Sequence, residues 1–350
     1  MAHARPKRLG SFALIAVALG CGAALPAGAG PGYEQTRPEL EQVMEDLIAW
    51  FPGVWDSAPQ IHYERTVHMP AGGEHERWHR TFARIDAPQV GEVVFYGQIN
   101  ADGRDGPIIA GSQVLYKAVI DEKLGAVNIF GQGPADPEKY ENLHDRPELW
   151  GEVRMRDPGA LNCDFIWRRD GNQLFGVLQG NTPEKQQYGP GTCAFISQRT
   201  GEEFKADAEW VLTPEQLWLY DNNWSGGMLF LGREDRTHIK LYRSRPYRCT
   251  VKDADGTRAL DAYDRGYETE VKGNDGQALK LVMLRADYPA KDGHGLDDRL
   301  RLTLRAGAET AAPLAETDAA PLAKSIKVKG GGVEATCTLQ DKFPPMALAE

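Results

Sequence analysis

Apolar and polar residues alternate with a period of two along most of the chain beyond residue 60, a pattern typical of β-strands with one buried face. The alternation is clearest between residues 161 and 222. There Asp170-Gly171 separates two strand-like segments and favours a two-residue hairpin turn, because that turn needs positive φ at both central positions. The segment 203–212 has an apolar and a charged face, formed by Phe204, Ala206, Ala208 and Trp210 and by Lys205, Asp207 and Glu209.

The first 245 residues contain more strand-like segments than an open, twisted sheet of this size holds. Closure into a barrel removes the exposed edges of such a sheet. We therefore expect a mainly β fold with an antiparallel β-barrel that has room for side chains or one small ligand. The predicted strands are 60–69, 76–86, 92–101, 110–121, 126–131, 163–169, 174–179, 193–196, 203–212, 216–222, 228–232 and 238–243.

One N-terminal helix precedes these strands. Thr36 is a candidate N-cap, Pro38 suits the first turn, and Glu39 completes a capping box. The apolar residues that follow recur at helical spacing, and Pro52-Gly53 ends the helix. They are Leu40, Val43, Met44, Leu47 and Ile48. A second, short helical segment is predicted near 145–150.

The C-terminal part, 246–350, also alternates and predicts a β-rich extension. Within it, residues 306–324 are rich in alanine and proline and contain few bulky apolar side chains, so we expect a flexible loop there. The pattern leaves open whether 246–350 is a separate domain or an extension packed on the barrel domain, 30–245.

The first 29 residues predict a signal peptide. Arg5, Lys7 and Arg8 precede an apolar run at 12–18, and small residues at 27–29 offer a cleavage site. An exported protein, periplasmic or secreted, is therefore expected; an alternative is lipid anchoring through Cys21. No other segment is apolar enough to span a bilayer. Removing the three basic residues takes the net charge from −10 to −13, which argues against nucleic acid as a partner.

Four cysteines remain after Cys21, an even number that suits an oxidising compartment. Three pairings are formally allowed. We expect disulfides between Cys163 and Cys193 and between Cys249 and Cys337.

One segment of the sequence, residues 75–79, matches a known catalytic motif. His75-Glu76-Arg77-Trp78-His79 matches the HExxH zinc motif, but a turn precedes it and period-two alternation follows it. On a strand the two histidines would lie about 13 Å apart and could not share a metal. We therefore expect no metal site and a hairpin strand with exposed histidines. Motifs of serine hydrolases, phosphate-binding loops and dinucleotide-binding folds are missing from the sequence.

The sequence NCDFIWRRDGNQLFGVLQG, 162–180, followed by TCAFISQRTGEEFKADAEWVLTPEQLWLYD, 192–221, resembles the distal half of the CpcT/CpeT chromophore lyases. In that family a Gly-Cys-Asp strand, a cysteine-containing strand and a Trp-x-x-x-Asp strand occur in this order. Weaker similarities lie upstream, so the resemblance covers 47–222. The upstream matches are at 47–60, 62–70, 95–98, 113–119 and 145–150.

The resemblance implies a lipocalin-like barrel that holds an open-chain tetrapyrrole and attaches it to a cysteine of an acceptor protein. A site of this kind needs a carboxylate for the pyrrole N–H groups, basic residues for the propionates, and aromatic walls. Asp221 matches the family's late-strand aspartate, and Glu209 is a second candidate for an inward carboxylate. The candidate ligand-binding residues are Gln113, Tyr116, Tyr96 and Arg65.

Two departures favour a second hypothesis. Gly111-Ser112 and Val114 replace residues of the family's Tyr-Arg-Gln-Arg-x-Tyr strand, which removes cationic partners for propionates. Asn222-Asn223 replaces the Arg-Gly that follows the family's aspartate. The alternative is an exported lipocalin-like carrier of a hydrophobic or tetrapyrrole ligand without catalytic activity. In either case the bilin is a substrate or ligand, and no cofactor is expected. The sequence does not distinguish a monomer from a homodimer.

Overall fold

The computed structural model describes residues 35–67, 69, 73–157, 163–180, 191–196, 201–307 and 312–341. The predicted signal peptide and Cys21 lie outside these residues. No helix among the described residues is long and apolar enough to cross a membrane.

Helix α1 (Arg37–Trp50) begins and ends where the sequence predicts. The backbone N–H of Thr36 donates to the Glu39 carboxylate at 2.7 Å, as the capping box requires. Leu40, Val43 and Leu47 are fully buried, which confirms the predicted apolar stripe.

A second helix and the strands up to residue 243 follow. Helix α2 spans Ala58–Thr66. The strands are β1 (Gly53–Asp56), β2 (Trp78–Arg84), β3 (Val93–Ala101), β4 (Val114–Asp121), β5 (Ala126–Gln132), β6 (Cys163–Asp170), β7 (Gln173–Gly180), β8 (Thr192–Ile196), β9 (Glu203–Leu212), β10 (Gln216–Ser225), β11 (Met228–Leu231) and β12 (Ile239–Arg243). Two 3₁₀ turns, Leu143–Asp145 and Pro147–Leu149, occupy the predicted short helical segment.

Ten of these strands form a closed antiparallel barrel. The order β10-β12-β1-β2-β3-β4-β5-β6-β7-β9 is completed by pairing of β9 with β10, and β8 and β11 pair on β9 and β10. The prediction of a mainly β, lipocalin-like barrel is therefore confirmed.

The predicted strand at 60–69 is wrong, because α2 occupies most of it. Pro59 stands in the first turn, where its missing N–H costs no helical hydrogen bond. Gln60, Ile61 and Glu64 are buried at helical spacing, and α2 packs between β12 of the barrel and the chain after residue 245. The burial of this face outweighs the local alternation.

The chain after residue 245 forms two four-stranded antiparallel sheets. Their strands are β13 (Pro246–Asp253), β14 (Gly256–Tyr263), β15 (Arg265–Lys272), β16 (Ala278–Pro289), β17 (Leu296–Ala306), β18 (Ala315–Ala319), β19 (Ser325–Gly330) and β20 (Val333–Leu339). One sheet has the order β14-β13-β20-β19 and the other β15-β16-β17-β18. Both sheets contribute to one buried apolar cluster, so together they form a β-sandwich.

The flexible loop expected at 306–324 is also wrong in part, because β18 lies within it. Residues 300–304 of β17 pair with Ala315–Ala319, and those hydrogen bonds hold the alanine-rich segment at the sheet edge. Residues 308–311 lie outside the described part of the chain. Strand pairing with a long neighbour compensates for the weak apolar content of this segment.

Both expected disulfides are present. Cys163 is bonded to Cys193 and Cys249 to Cys337. The second pair joins residues directly opposite each other on β13 and β20. Disulfides are typical of proteins that fold outside the reducing cytoplasm.

Candidate functional site

The lumen of the barrel is packed with aromatic rings around Phe51, the residue that follows α1. Its ring centroid lies 4.1 Å from that of Phe82, 5.7 Å from Tyr116 and 6.4 Å from Trp210. Val43 and Leu47 of α1 belong to the same buried cluster. Helix α1 therefore covers this end of the barrel, and Phe51 fills the lumen behind it.

Two glycines make room for these rings. A Cβ added to Gly97 would lie 2.9 Å from ring atoms of both Phe82 and Tyr116. A Cβ on Gly176 would lie 2.6 Å from the Trp167 indole. Any side chain at either position would therefore displace a lumen aromatic residue.

Arg80 places a positive charge among the lumen aromatics. Its side chain is 3% exposed, and Nη2 donates to the Tyr116 hydroxyl at 2.8 Å. The guanidinium carbon lies 4.5 Å from the ring centroids of Phe82 and Trp210, within the range of cation–π attraction. Nε is buried and has no hydrogen-bond acceptor among the described residues.

Asp221 supplies the negative charge of the same cluster. It is opposite Ala208 on β9 and shares its strand face with Leu217 and Leu219, both in the lumen core. Asn223 Nδ2 donates to Asp221 Oδ1 at 2.9 Å. Burial raises the pKa of Asp221, and the attraction of Arg80 only partly offsets this.

Tyr116 completes the cluster. Burial raises its pKa, the positive charge of Arg80 opposes that rise, and the charge of Asp221 adds to it. Hereafter Arg80, Tyr116 and Asp221 are called the lumen cluster. It combines a cation, a neutral hydroxyl and a carboxylate in a low-dielectric space, where each polar interaction is stronger than in water.

The carboxylate of this cluster lies toward the barrel end opposite α1. Arg243 joins the β9–β10 turn to the segment after α1, since Nε donates to Pro214 O at 2.5 Å and Nη1 to Pro52 O at 2.7 Å. Strand β10 starts beside that turn at Gln216 and runs away from it. Asp221 is five residues along β10, opposite Ala208 of β9, and Asn223 is opposite Ala206. Asp221 therefore lies well away from the end that α1 covers.

The expectation that Glu209 points inward is wrong. Trp210 and Ala208 on either side of it are buried, so strand alternation directs Glu209 to the outer wall. There it is opposite Tyr220, which also faces outward. The reason is that the apolar face of β9, not its charged face, fills the lumen.

Gln113 and Tyr96 lie together, but also outside the lumen. Nε2 of Gln113 is 3.3 Å from the Tyr96 hydroxyl and donates to Pro137 O at 3.0 Å. The Tyr96 hydroxyl donates to Gln98 Oε1 at 2.9 Å, and burial raises its pKa. The segment after β5 covers them, so they hold that segment on the barrel wall. Of the four predicted ligand-binding residues, Tyr116 is the one that the structure places in the lumen.

Arg65 is on α2, outside the barrel, because the segment is helical. Its Nε lies 3.2 Å from Oε2 of Glu74, in a pair with substantial exposure. This position separates it from the lumen cluster.

The histidines of the HExxH sequence are buried, contrary to the prediction that they are exposed. Nδ1 of His75 lies 2.6 Å from Oε1 of Glu64 on α2. Nδ1 of His79 lies 3.0 Å from Oδ2 of Asp56 on β1. Each histidine therefore has its own carboxylate, and no group of three or more potential metal ligands occurs among the described residues.

Arg80 is the residue of the lumen cluster that sequence reasoning missed. The signal was present, because Trp78, Arg80 and Phe82 alternate on β2 with Arg80 between two bulky aromatic residues. An arginine at that position of a strand must share their face.

Comparison with known proteins gives little further guidance. The chain matches no protein-family profile and no curated protein. Among solved structures it is similar to a selenomethionine-labelled CRL protein of Arabidopsis, with a TM-score of 0.38 and 13% identity over 57% of this chain and 95% of that chain. A similarity of this degree carries no argument about ligand or activity.

Proposed function

We propose that this protein, acting outside the cytoplasm, binds an open-chain tetrapyrrole at the barrel end opposite α1, beyond the packed rings, and contacts it through the lumen cluster. As the resemblance to the CpcT/CpeT lyases implies, it would then present the pigment to a cysteine of an acceptor protein. The observation that carries the proposal is the placement of Asp221, Arg80 and Tyr116 together in an aromatic lumen. These are the carboxylate, the cation and the aromatic wall that a bilin requires.

The roles of the three residues follow from their chemistry. The Asp221 carboxylate would accept hydrogen bonds from pyrrole N–H groups, and a protonated pigment would also restore its ionised form. The free Nε of Arg80 would donate to a propionate. The packed lumen rings would form an apolar floor beneath the pigment.

The bond itself would form on another protein. All four cysteines of the described residues are in disulfides, so none offers a thiol to the pigment. In the transfer, the acceptor's thiol sulfur adds to one carbon of an exocyclic double bond. The thiol proton ends on the neighbouring pigment carbon, and the product is a thioether.

A carrier without bond formation is the second candidate. Val114 stands on the lumen side of β4, where the family has arginine, so that strand offers no contact to a propionate. A site with fewer charged contacts can hold a hydrophobic or tetrapyrrole ligand without orienting it for attack. This departure favours transport over transfer.

One experiment separates these functions. The protein lacking residues 1–29 is mixed with a bilin, with and without a cysteine-containing acceptor, and absorbance is recorded. The samples are then denatured and tested for zinc-enhanced fluorescence on a gel. A lyase gives a fluorescent acceptor band, and a carrier gives only the absorbance shift before denaturation.

Asp221→Asn is expected to abolish the absorbance shift, and Glu209→Gln is the matched control. Both substitutions neutralise a carboxylate on adjacent strands, but Glu209 is on the outer wall. Absence of any shift with the unmodified protein, or equal loss in both variants, contradicts the proposal.

A further inference from the structure

A cavity of about 770 Å³ lies between the outer wall of the barrel and the C-terminal sandwich. Strands β10 and β12 form its floor, and α2 and strands β15 to β17 form its sides. Its size is within the range of small-molecule sites. It is separated from the lumen cluster by the barrel wall, so an inference about it is independent of the proposed function.

Arg265 is a buried cation in the lining of this cavity. Its side chain is 6% exposed, and Nη1 donates to Arg285 O at 2.8 Å. Nε is buried and has no acceptor among the described residues. The carboxylates nearest in the fold are already engaged, since Asp264 pairs with Arg245 at 2.7 Å and Asp298 with Arg285 at 2.8 Å.

A buried charge without a partner is costly. Burial lowers the pKa of Arg265, and the neighbouring charge of Arg285 lowers it further, which outweighs the attraction of Asp264 and Asp298. The guanidinium is stacked 5.2 Å from the Tyr242 ring centroid, which stabilises it only in part. An anion bound from the cavity would remove this penalty.

The floor of the cavity adds a second cation and a second ring. Lys240 Nζ lies 4.5 Å above the Trp218 ring. Trp218 and Lys240 are paired across β10 and β12, and Tyr242 is the next outward residue on β12. Two cation–aromatic pairs, Lys240 with Trp218 and Arg265 with Tyr242, thus lie side by side at the floor of the cavity.

We propose that this cavity binds a small oxyanion ligand, a carboxylate or a phosphate, with Arg265 as its principal contact and Lys240 at its edge. The planar guanidinium suits oxyanions because its N–H groups form parallel hydrogen bonds with two oxygens. Besides Glu64, Asp235 and Asp298, whose carboxylates are paired with His75, Arg233 and Arg285, the lining holds Glu215 and Asp287. These acidic residues would exclude large polyanions by repulsion. The ligand is therefore small and carries one or two acidic groups.

Isothermal titration of the protein without residues 1–29 in a chloride buffer tests this proposal. Inorganic phosphate is the probe for a free phosphate and succinate for an organic carboxylate, each titrated separately. We expect saturable binding of at least one probe. Arg265→Gln is expected to weaken binding at least tenfold. The probe that binds more tightly, phosphate or succinate, shows whether the site prefers a phosphate or an organic carboxylate.

Arg248→Gln is the matched control, because Arg248 is an exposed arginine on β13 that pairs with Asp261 outside the cavity. It changes the net charge equally and should leave the affinity within twofold. The anion should also raise the melting temperature of the unmodified protein but not that of Arg265→Gln. If that variant does not fold, Arg265→Lys retains the positive charge but lacks the parallel N–H donors of the guanidinium, and it should bind several-fold more weakly.

Three results would overturn the proposal. They are the absence of saturable binding by the unmodified protein, unchanged affinity in the Arg265 variants, and an equal loss in Arg248→Gln. Absence of binding by the unmodified protein needs no variant, so it contradicts an anion site even if every substitution prevents folding.

Discussion

Nδ1 of His79 lies 3.0 Å from Oδ2 of Asp56, and neither side chain reaches solvent. Three further groups approach the same carboxylate. The Ala58 N–H donates at 2.8 Å, Nη2 of Arg77 lies at 3.4 Å, and the Tyr263 hydroxyl of the sandwich lies at 3.5 Å. A single buried carboxylate therefore links the barrel wall to the C-terminal sheets.

Asp56→Asn should lower the free energy of unfolding by about 3 kcal/mol at pH 7, the scale for breaking a buried ion pair on one side. Burial opposes ionisation of Asp56, but Arg77 and His79 outweigh it and hold its pKa below the usual range. The stabilisation is thus complete above about pH 4 and is lost as pH falls through the lower folded value.

Urea unfolding at pH 7 and pH 3 measures both effects. The difference between Asp56→Asn and the unmodified protein should shrink at the lower pH. Asp261→Asn, which removes an exposed carboxylate paired with Arg248, is the control and should change stability by less than about 1 kcal/mol. A variant as stable as the unmodified protein at pH 7 would show that Asp56 does not link the two parts.

Asp221→Asn should have the opposite effect on stability. The folded-state pKa of Asp221 is raised by burial, so its ionisation is penalised in the fold. The protonated carboxyl of Asp221 therefore contributes stability that is fully present below the unfolded pKa and is lost as pH rises through the folded pKa. Each unit by which the folded pKa is raised corresponds to about 1.4 kcal/mol of unfolding free energy.

Urea unfolding at pH 7 should find Asp221→Asn at least as stable as the unmodified protein, although we expect it to lose bilin binding. Such a result separates a functional carboxylate from a structural one, because stability and binding move in opposite directions. A large loss of stability would instead mean that Asp221 is needed to neutralise Arg80.

The alternation of side chains was enough to predict the barrel, because the barrel strands between 76 and 243 bury one face in a common core. It could not predict α2, where burial of Gln60, Ile61 and Glu64 depends on surfaces far along the chain. The contact between Asp56 and Tyr263 spans 207 residues, and no local pattern reveals it. The same limit applies to Arg265, because the carboxylates near it are engaged by arginines from other parts of the chain.

The lumen cluster was predictable in part. The face of β4 that carries Tyr116 follows from alternation, and so does the position of Arg80 between two aromatic residues on β2. Glu209 was misplaced because a charged strand face can border either water or a polar lumen. The structure shows that the lumen is apolar and packed around Phe51, a residue that belongs to no strand, so the charged face of β9 lies on the outside.

His144 predicts a pH dependence of stability. Burial, followed by the charges of Arg104 and His79, lowers its pKa to about 4. The unfolded chain therefore binds a proton that the folded protein does not between pH 6.5 and pH 4, and stability falls as pH decreases through that window. The loss is of order 3 kcal/mol at most.

His144→Gln should flatten the dependence of unfolding free energy on pH between 4 and 6.5. The exposed His294 offers a control, since His294→Gln should leave the slope unchanged. An NMR titration of the His144 ring gives the pKa directly. Parallel slopes in the two variants would exclude His144 as the cause.

Gly97→Ala tests whether the tight fit of the lumen rings positions the lumen cluster. The new Cβ would lie 2.9 Å from ring atoms of Phe82 and Tyr116, closer than real Cβ contacts, so at least one ring must move. Overpacking of this kind costs about 1–3 kcal/mol. Because Tyr116 accepts the hydrogen bond of Arg80, its displacement should also weaken ligand binding.

Gly151→Ala is the control, because a Cβ there meets nothing within 4 Å and the residue is outside the left-handed region. Its stability should change by less than about 0.5 kcal/mol. Urea unfolding and bilin titration are carried out on both variants. Loss of stability in Gly97→Ala with unchanged affinity would mean that the rings pack without positioning Arg80, whereas loss of both properties supports a lumen whose packing sets the binding geometry.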